Sequence, residues 1–258
     1  MSSRNRALSI LALLAHHPAG LAAREVAARL SIPFTATQRL CASLAEAGYM
    51  HAVPEIAGYR LGVKLAALGL AYLGASGVSD LVQPILDDLA KRTEELVRLA
   101  VVESDNLTWV AKAQGARSGL LYDPDAGAEV YLPATANGLA WLSCVDERDA
   151  RRLIEKQGIG RPGLGPNAPE GIEALLEAIK KAGALGYATV SEAYEPGTSA
   201  MAAPIRQRDA GPAIGTVSIA GPTIRLTPQR MLQMAPWLLA SAGELGAAAA
   251  SSPLFNNQ

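Results

Sequence analysis

The chain has 258 residues, half of them apolar, so it fits one or two domains with a buried core and is not a disordered protein. Its net charge of −1 hides an asymmetry, because residues 1–75 hold six Arg and one Lys against three Glu, a net charge of +4, and the remainder carries −5. Basic charge gathered at one end indicates that this end meets a polyanion.

The amino-terminal stretch MSSRNRALSILALLAHHP contains an apolar run of only about eight residues before His and Pro. This run is too short to span a membrane and lacks a small-residue cleavage pattern, so we expect a cytoplasmic protein. Cys41 and Cys144 lie far apart in a chain without an export signal. We therefore expect no disulfide and interpret both as buried, small apolar residues.

Three short helices are predicted in the first 50 residues. The first has apolar residues at helical spacing, Leu8, Leu11, Leu14 and Ala15, and ends at PAG, residues 18–20. The second lies in LAAREVAARL, with Val26, Ala27 and Leu30 on one side. After a turn at 31–32, Pro33 opens the third helix at a first-turn position, where its missing N–H costs nothing. The tight turn between the second and third helices is typical of a helix-turn-helix unit.

The third helix has two different sides. The side predicted to be buried carries Thr37, Leu40, Cys41, Leu44 and Ala47. The outward side carries Thr35, Gln38, Arg39, Ala42 and Glu46. A hydroxyl, an amide and a guanidinium within about two turns are groups that hydrogen-bond to base edges and phosphates. The pattern predicts a helix that reads DNA; the alternative is an ordinary surface helix with a solvated Arg39.

The segment YMHAVPEIAGYRLG predicts two short strands around Pro54–Gly58, a β-hairpin that completes a winged helix. We assign DNA binding to eight residues of this region: Arg24, Phe34, Thr35, Ala36, Gln38, Arg39, Tyr59 and Arg60. A wing that binds protein instead of DNA is the alternative. Salt-sensitive binding to duplex DNA would separate the two.

The rest of the chain alternates helices with strands. The segment GVKLAALGLAYLGAS predicts a linker helix with an apolar stripe of Leu65, Leu68, Ala71 and Tyr72, and LVQPILDDLAKRTEEL predicts a helix with Leu81, Ile85, Leu89 and Leu96 on one side. VRLAVVESDNLTWVAKAQ predicts a hairpin, and later strands are predicted at 186–190, 199–206 and 213–220. They alternate with helices at about 135–145, 147–157, 169–183 and 227–246, and GRPGLGPNAP is a loop. Helices on an antiparallel sheet make this part an α+β domain.

Several stretches together resemble the IclR (isocitrate lyase regulator) family of bacterial transcription regulators. They are GLAAREVAARLSIPFTATQRLCASLAEAGYM, GYRLGVKLAALG, LPATANGLAWL, GYATVSEAYEPGTSAMAAPI and VSIAGPTIRLTPQR. The resemblance implies a winged helix-turn-helix at 1–62, a linker helix at 63–78, a GAF-like α/β effector-binding domain at 79–250 and a tail at 251–258. It also implies binding to operator DNA, control by a small metabolite, and a homodimer or a homotetramer.

The chain departs from the family pattern at the reading helix. Phe34 stands where the family commonly has Lys or Arg, and the following Ser/Thr pair becomes Thr35-Ala36, whereas Arg39 matches the family arginine. Because a cation and a hydroxyl are lost, we expect phosphate contacts to depend on Arg24, Arg39 and Arg60.

A ligand position is predicted in VYLPATANGLAWL, where a strand ends at Leu132-Pro133 and Thr135 caps a helix. Such a cap leaves backbone N–H groups at Ala136, Asn137 and Gly138 free to attract a carboxylate, although Thr135 can also be a purely structural cap. The resemblance makes these residues the effector-anchoring turn and adds the wall positions Tyr122, Val130, Val190, Thr198, Ala200 and Ser218. Ala200 stands where many relatives have Cys, so we expect a roomier, less polar pocket without a cationic clamp, and an apolar, aromatic monocarboxylate as effector.

An enzyme is the rival class. Cys144 would need a histidine, but His16, His17 and His51 all lie in the DNA-binding part. No metalloprotease, phosphate-binding-loop or dinucleotide-binding motif occurs, and no Cys/His cluster has zinc-ligand spacing. We therefore expect no catalytic activity, no metal and no cofactor.

Overall fold

The computed structural model describes residues 2–123, 127–207 and 211–255. They form two compact units, Met1–Leu73 and Gly74–Gln258.

The first unit is a winged helix. Its elements are α1 (Ser3–Ala15), β1 (Leu21–Ala22), α2 (Ala23–Leu30), α3 (Phe34–Glu46), β2 (Met50–Val53) and β3 (Gly58–Leu61). The three predicted helices and the hairpin are confirmed. The sequence analysis missed β1, which pairs with β3 and gives an antiparallel sheet in the order β1-β3-β2. A two-residue strand is too short to leave a periodic signal in the sequence.

The core of the first unit differs in detail from the predicted stripes. On α1, Ile10 and Leu14 are buried, whereas Leu8 is 65% exposed and Ala15 is exposed, so the predicted stripe was wrong at these two positions. On α3, Thr37 and Cys41 are fully buried, Leu40 and Leu44 are half-buried, and Ala47 is exposed at the helix end. Burial raises the pKa of the Cys41 thiol to about 11, so this cysteine stays a neutral apolar residue.

The linker helix α4 (Val63–Ala75) is confirmed as a helix, but its apolar stripe is not buried by this chain. No α4 residue is buried, and Leu68, Leu70 and Tyr72 are at least half exposed. Within the described residues, no single helix is long and apolar enough to cross a membrane; only α4 taken together with residues 78–93, as a bent pair, meets that length and composition.

The second unit is α+β, as predicted. A π-helical turn at Val78–Val82 leads into the elements α5 (Gln83–Thr93), β4 (Leu96–Glu103), β5 (Asn106–Gln114), α6 (Ala136–Leu142), α7 (Glu147–Gln157), α8 (Ile172–Leu185), β6 (Ala188–Ser191), β7 (Thr198–Arg206), β8 (Ala213–Pro222) and α9 (Pro228–Ala249). The strands form one antiparallel sheet in the order β5-β4-β8-β7-β6. Helices α6, α7 and α8 share a core with one face of this sheet, and α5 and α9 pack together on the other.

Two local predictions in this unit were wrong, at Leu96 and at Leu132-Pro133. Leu96 is the first residue of β4 rather than part of the preceding helix, whose buried residues include Leu86 and Leu89. Residues Leu132–Ala134 form a 3-10 turn and not the end of a strand. Phe255, in the predicted tail, is buried at 2% exposure, so the described part of that segment packs on the domain.

Two arginines of the motif VSIAGPTIRLTPQR contact Glu95, the residue just before β4. Glu95 is 1% exposed there, and Arg225 donates to both of its carboxylate oxygens, at 2.6 and 2.7 Å. Arg230 lies 3.7 Å from the same carboxylate and donates to the Thr93 carbonyl at 2.8 Å. These arginines therefore connect the segment after β8 to the end of α5 and the beginning of β4.

Candidate DNA-binding surface and ligand cavity

The outward face of α3 has the composition that the sequence predicted. Thr35, Gln38 and Arg39 are exposed, and Arg39 forms no hydrogen bond or ion pair with any described residue. By contrast, Arg29 on α2 is held within the protein, because it donates to Glu25 and lies 3.0 Å from the His17 ring nitrogen Nε2. Arg39 is thus available for an external acceptor.

The first turn of α3 is open at its N-terminus. Pro33 is the N-cap residue, not the first helical residue as predicted, and it offers no side-chain acceptor. The first backbone bond of the helix runs from the Thr37 N–H to the Pro33 carbonyl at 2.9 Å. The preceding N–H groups, at 34–36, are left for an anion such as a phosphate.

Arg24 and Phe34 lie together beside this turn. The Arg24 guanidinium is 4.8 Å from the centroid of the Phe34 ring, a cation–π contact. Phe34 therefore holds a basic residue of α2 near the start of α3.

The wing presents its predicted residues on two different faces. Tyr59 borders a groove of about 170 Å³ together with Gln38. Its neighbour Arg60 pairs with His51 across the hairpin and borders a different groove, formed with the end of α1 and the start of α4. The structure therefore brings Tyr59 near Gln38 of α3 and leaves Arg60 on the other side of the hairpin.

The second unit contains a small cavity between the sheet and the start of α6. Its volume is about 20 Å³, room for one water-sized molecule. The lining residues come from five elements and two loops: Arg98, Tyr122, Thr135, Ala136, Asn137, Val190, Tyr194, Thr198, Ser199, Ala200 and Ala220. Seven of these side chains are polar, whereas Ala136, Val190, Ala200 and Ala220 are apolar. A pocket that is roomier and less polar than in relatives stays a prediction.

The turn before α6 is fixed by side chains. Thr135 is the N-cap, as predicted: its hydroxyl accepts from the Gly138 N–H at 3.0 Å and donates to the Tyr131 carbonyl at 2.8 Å. The Gly138 N–H is therefore occupied, which corrects its assignment as a free donor, whereas the N–H groups of Ala136 and Asn137 have no acceptor among the described residues. A Cβ at Gly138 would lie 2.3 Å from the Leu132 carbonyl oxygen, so only glycine permits this close approach.

Arg98 is a buried cation that the sequence analysis missed. It lies on β4, opposite Lys112 of β5 and Ser218 of β8, and only 5% of it is exposed. The guanidinium carbon is 3.9 Å from the Trp109 ring centroid and 5.8 Å from that of Tyr122. The prediction that the pocket lacks a cationic side chain was therefore wrong. A charged residue inside the apolar run VRLAVV was the signal that could have revealed it.

Two tyrosines from loops close the cavity. Burial raises the pKa of Tyr122 to about 12, so its phenol is neutral. Tyr194 accepts a hydrogen bond from Arg161 at 2.7 Å, and the Arg161 guanidinium stacks on the rings of Tyr194 and Tyr131 at 5.0 and 4.5 Å. The loop GRPGLGPNAP, which the sequence left without a role, thus positions a residue of the cavity wall.

Six of the nine predicted effector residues meet in this cavity: Tyr122, Ala136, Asn137, Val190, Thr198 and Ala200. The other three do not line it. Val130 is fully buried in the core, the Ser218 hydroxyl lies 3.5 Å from the Arg98 carbonyl oxygen, and Gly138 is the third residue of α6. Among the described residues, no cluster of three or more His, Cys, Asp and Glu side chains could hold a metal ion.

Two family profiles match successive parts of the chain. The family profile described as "IclR helix-turn-helix domain" matches residues 5–54, and "Bacterial transcriptional regulator IclR C-terminal" matches residues 70–247. The chain is 28% identical over 242 residues to the HTH-type transcriptional regulator BhcR of Paracoccus denitrificans, covering 93% of this chain and 85% of that protein.

Two solved structures share the fold. An IclR transcriptional regulator from Alicyclobacillus acidocaldarius has a TM-score of 0.83 at 22% identity, covering 95% of this chain and 98% of the other. An IclR homologue from Microbacterium hydrocarbonoxydans, complexed with 4-hydroxybenzoate, has a TM-score of 0.75 at 19% identity, covering 97% of this chain and all of the other.

Proposed function

The chain belongs to the IclR family of bacterial transcriptional regulators, and from that premise we propose that its operator binding is altered by a small organic acid with an apolar, aromatic body. The family match supplies a DNA-binding domain and an effector-binding domain, and it is a family of regulators rather than of enzymes. Our proposal adds the chemical class of the effector, the residues that contact DNA and effector, and the oligomeric state.

The proposed DNA contacts come from the exposed half of α3 and its surroundings. Thr35, Gln38 and Arg39 read base edges in the major groove, since they are exposed and Arg39 has no partner within the described part of the chain. The uncapped N–H groups at 34–36 and the stacked Arg24 bind phosphates. Arg60, on the other side of the hairpin, contacts the DNA backbone and no bases.

The proposed effector site is the cavity at the start of α6, and the convergence there of residues from distant parts of the chain carries this proposal. The unbonded N–H groups of Ala136 and Asn137 offer donors to a carboxylate, and Val190 and Ala200 offer apolar contacts. A relative that shares the fold is complexed with 4-hydroxybenzoate, an acid of the proposed class. Because the cavity is small, an organic acid enters only when lining side chains such as Tyr122 and Tyr194 move.

We propose that the protein acts as a homodimer, or as a dimer of dimers. One winged helix reads too few base pairs to find one site in a genome, so two copies bind a near-palindrome. The exposed apolar side chains of α4, among them Leu68, Leu70 and Tyr72, suit contact with a second copy. Sedimentation showing a monomer at micromolar concentration, with and without DNA, contradicts this assembly.

The experiment that tests the function begins by selecting bound duplexes from a random library with the purified protein. We expect near-palindromic sequences whose affinity falls steeply with salt, and an affinity change of about 5–150-fold on adding the effector. Binding that is insensitive to salt, or that selects no duplex, would show that the winged helix does not read DNA.

A further inference from the structure

Arg98 combines deep burial with access to the ligand cavity. It is 5% exposed, in the middle of β4, and is one of the residues that line the cavity at the start of α6. Arginine is rarely buried to this extent without a carboxylate partner.

The charge of Arg98 is only partly compensated by neighbouring side chains. Its Nε atom has no hydrogen-bond partner, and the guanidinium forms no ion pair with any residue in the described ranges. Burial lowers the pKa of Arg98, and Tyr122, Tyr194 and Glu195 partly offset this effect. The guanidinium nevertheless remains charged, as arginine does in proteins. A buried and unpaired cation is unfavourable, and an anion in the adjacent cavity would remove that penalty.

We propose that Arg98 binds the carboxylate of the effector and thereby restricts the effector to small monocarboxylates. The inference rests on the proposed function of the cavity as the effector site. The Trp109 ring, 3.9 Å away, fixes the plane of the guanidinium. A planar guanidinium held in this way matches the two oxygens of a carboxylate better than it matches a neutral amide.

The surroundings of Arg98 explain the restriction to one carboxylate. Among the described residues that line the cavity, Arg98 is the single cationic side chain. Glu195, which follows the lining residue Tyr194, acts on both Arg98 and Tyr122 with a negative charge. A second acid group on the ligand would have no cation of its own among these lining residues and would be repelled by the negative charge of Glu195. The remaining wall includes Val190, Ala200 and Ala220, which suit an uncharged, apolar body.

The test measures thermal unfolding of the full-length protein with acetate, benzoate, 4-hydroxybenzoate, neutral benzamide or inorganic phosphate. We expect at least one of the three carboxylates, at saturation, to raise the Tm of the wild type by about 5 °C, with no shift from benzamide or phosphate. Arg98→Met, which keeps a contact with the Trp109 ring, should weaken carboxylate binding about 10- to 100-fold. Arg98→Lys keeps the charge without the fork and should weaken it less, and Arg152→Met, a surface arginine on α7, should not change it.

Three results would overturn the assignment: no carboxylate stabilises the wild type, phosphate stabilises it more than any carboxylate, or the Arg98 variants respond like the wild type. If Arg98→Met does not fold, Arg98→Lys decides alone, since carboxylate affinity equal to wild type contradicts the proposal. DNA titrations of the same preparations separate a failure of the proposed function from a failure of the role assigned to Arg98. Salt-sensitive DNA binding with an unchanged carboxylate response in the variants leaves the regulator intact and removes only the role of Arg98.

Discussion

The guanidinium of Arg24 lies over the Phe34 ring, 4.8 Å from its centroid, at the open N-terminus of the reading helix. The basic residue common in the family at the position of Phe34 is thus replaced by an aromatic one that holds a cation from the neighbouring helix. A charge near the first turn of α3 is retained, although it comes from α2.

This arrangement predicts that Arg24 and Phe34 contribute to DNA binding together. Phe34→Ala should weaken binding to a selected duplex by about 0.5–1 kcal/mol, because Arg24 loses its stacking partner. Arg24→Ala should cost at least as much, and the double variant less than the sum of the two. Fluorescence anisotropy titrations measure all three, with Phe34→Tyr as a control that keeps the ring. Strict additivity would show that the stacking contact has no part in binding.

Arg39 is expected to determine base preference. Arg39→Ala should cost about 1–3 kcal/mol on the selected duplex, because a guanidinium aimed at a base edge is lost. Repeating the duplex selection with the variant should show relaxed preference at one position of each half-site. Unchanged affinity and preference would contradict the assignment of α3 as the reading helix.

Arg60 is expected to behave differently, because it lies on the opposite face of the hairpin from Tyr59. Arg60→Ala should weaken binding to all duplexes alike and lower the salt dependence by about one phosphate contact. The measurement is the slope of the logarithm of affinity against the logarithm of salt concentration. A change in base preference at constant slope would be inconsistent with a backbone contact.

Filling the cavity is expected to uncouple the effector from DNA. Ala200 lies between Val190 and Ala220 in the sheet and borders the cavity, so Ala200→Leu should exclude the ligand. DNA affinity without ligand should stay within about threefold of wild type, whereas the coupling of about 1–3 kcal/mol should vanish. Thr189→Leu, next to Val190 but exposed, is the matched control. A normal response of the Ala200 variant to a carboxylate that acts on the wild type would place the effector elsewhere.

The buried carboxylate of Glu95 is expected to make Arg225 important for stability. Arg225→Met leaves Glu95 with the more distant Arg230 as its one ion-pair partner among the described residues, and should destabilise the protein by about 3 kcal/mol. The double variant Glu95→Gln with Arg225→Met should recover part of this loss. Arg92→Met, which removes the exposed pair with Asp88, should change stability by less than about 1 kcal/mol. Urea unfolding measures each value, and equal losses for Arg225 and Arg92 would contradict the argument.

Local features of this protein follow from the sequence alone. Apolar spacing predicts the helices of both units, and alternation predicts the two hairpins. The sequence also predicts Thr135 as a helix cap, which the hydrogen bond from the Gly138 N–H confirms. The outward face of α3 was also predicted correctly, because 3.6 residues per turn fix which side chains share a side once one buried residue is known.

The tertiary structure decided which distant residues meet. Cross-strand pairing places Arg98 beside Ser218, and α6 covers the same face, so Arg98 borders the cavity with Asn137 and Ala200. The packing of α2 on α3 likewise brings Arg24 to Phe34. Periodicity reports how a residue is oriented within its own element, but strand register and helix docking depend on contacts between residues far apart in the chain. The ligand cavity is built from such contacts, so its charge became visible only in the folded structure.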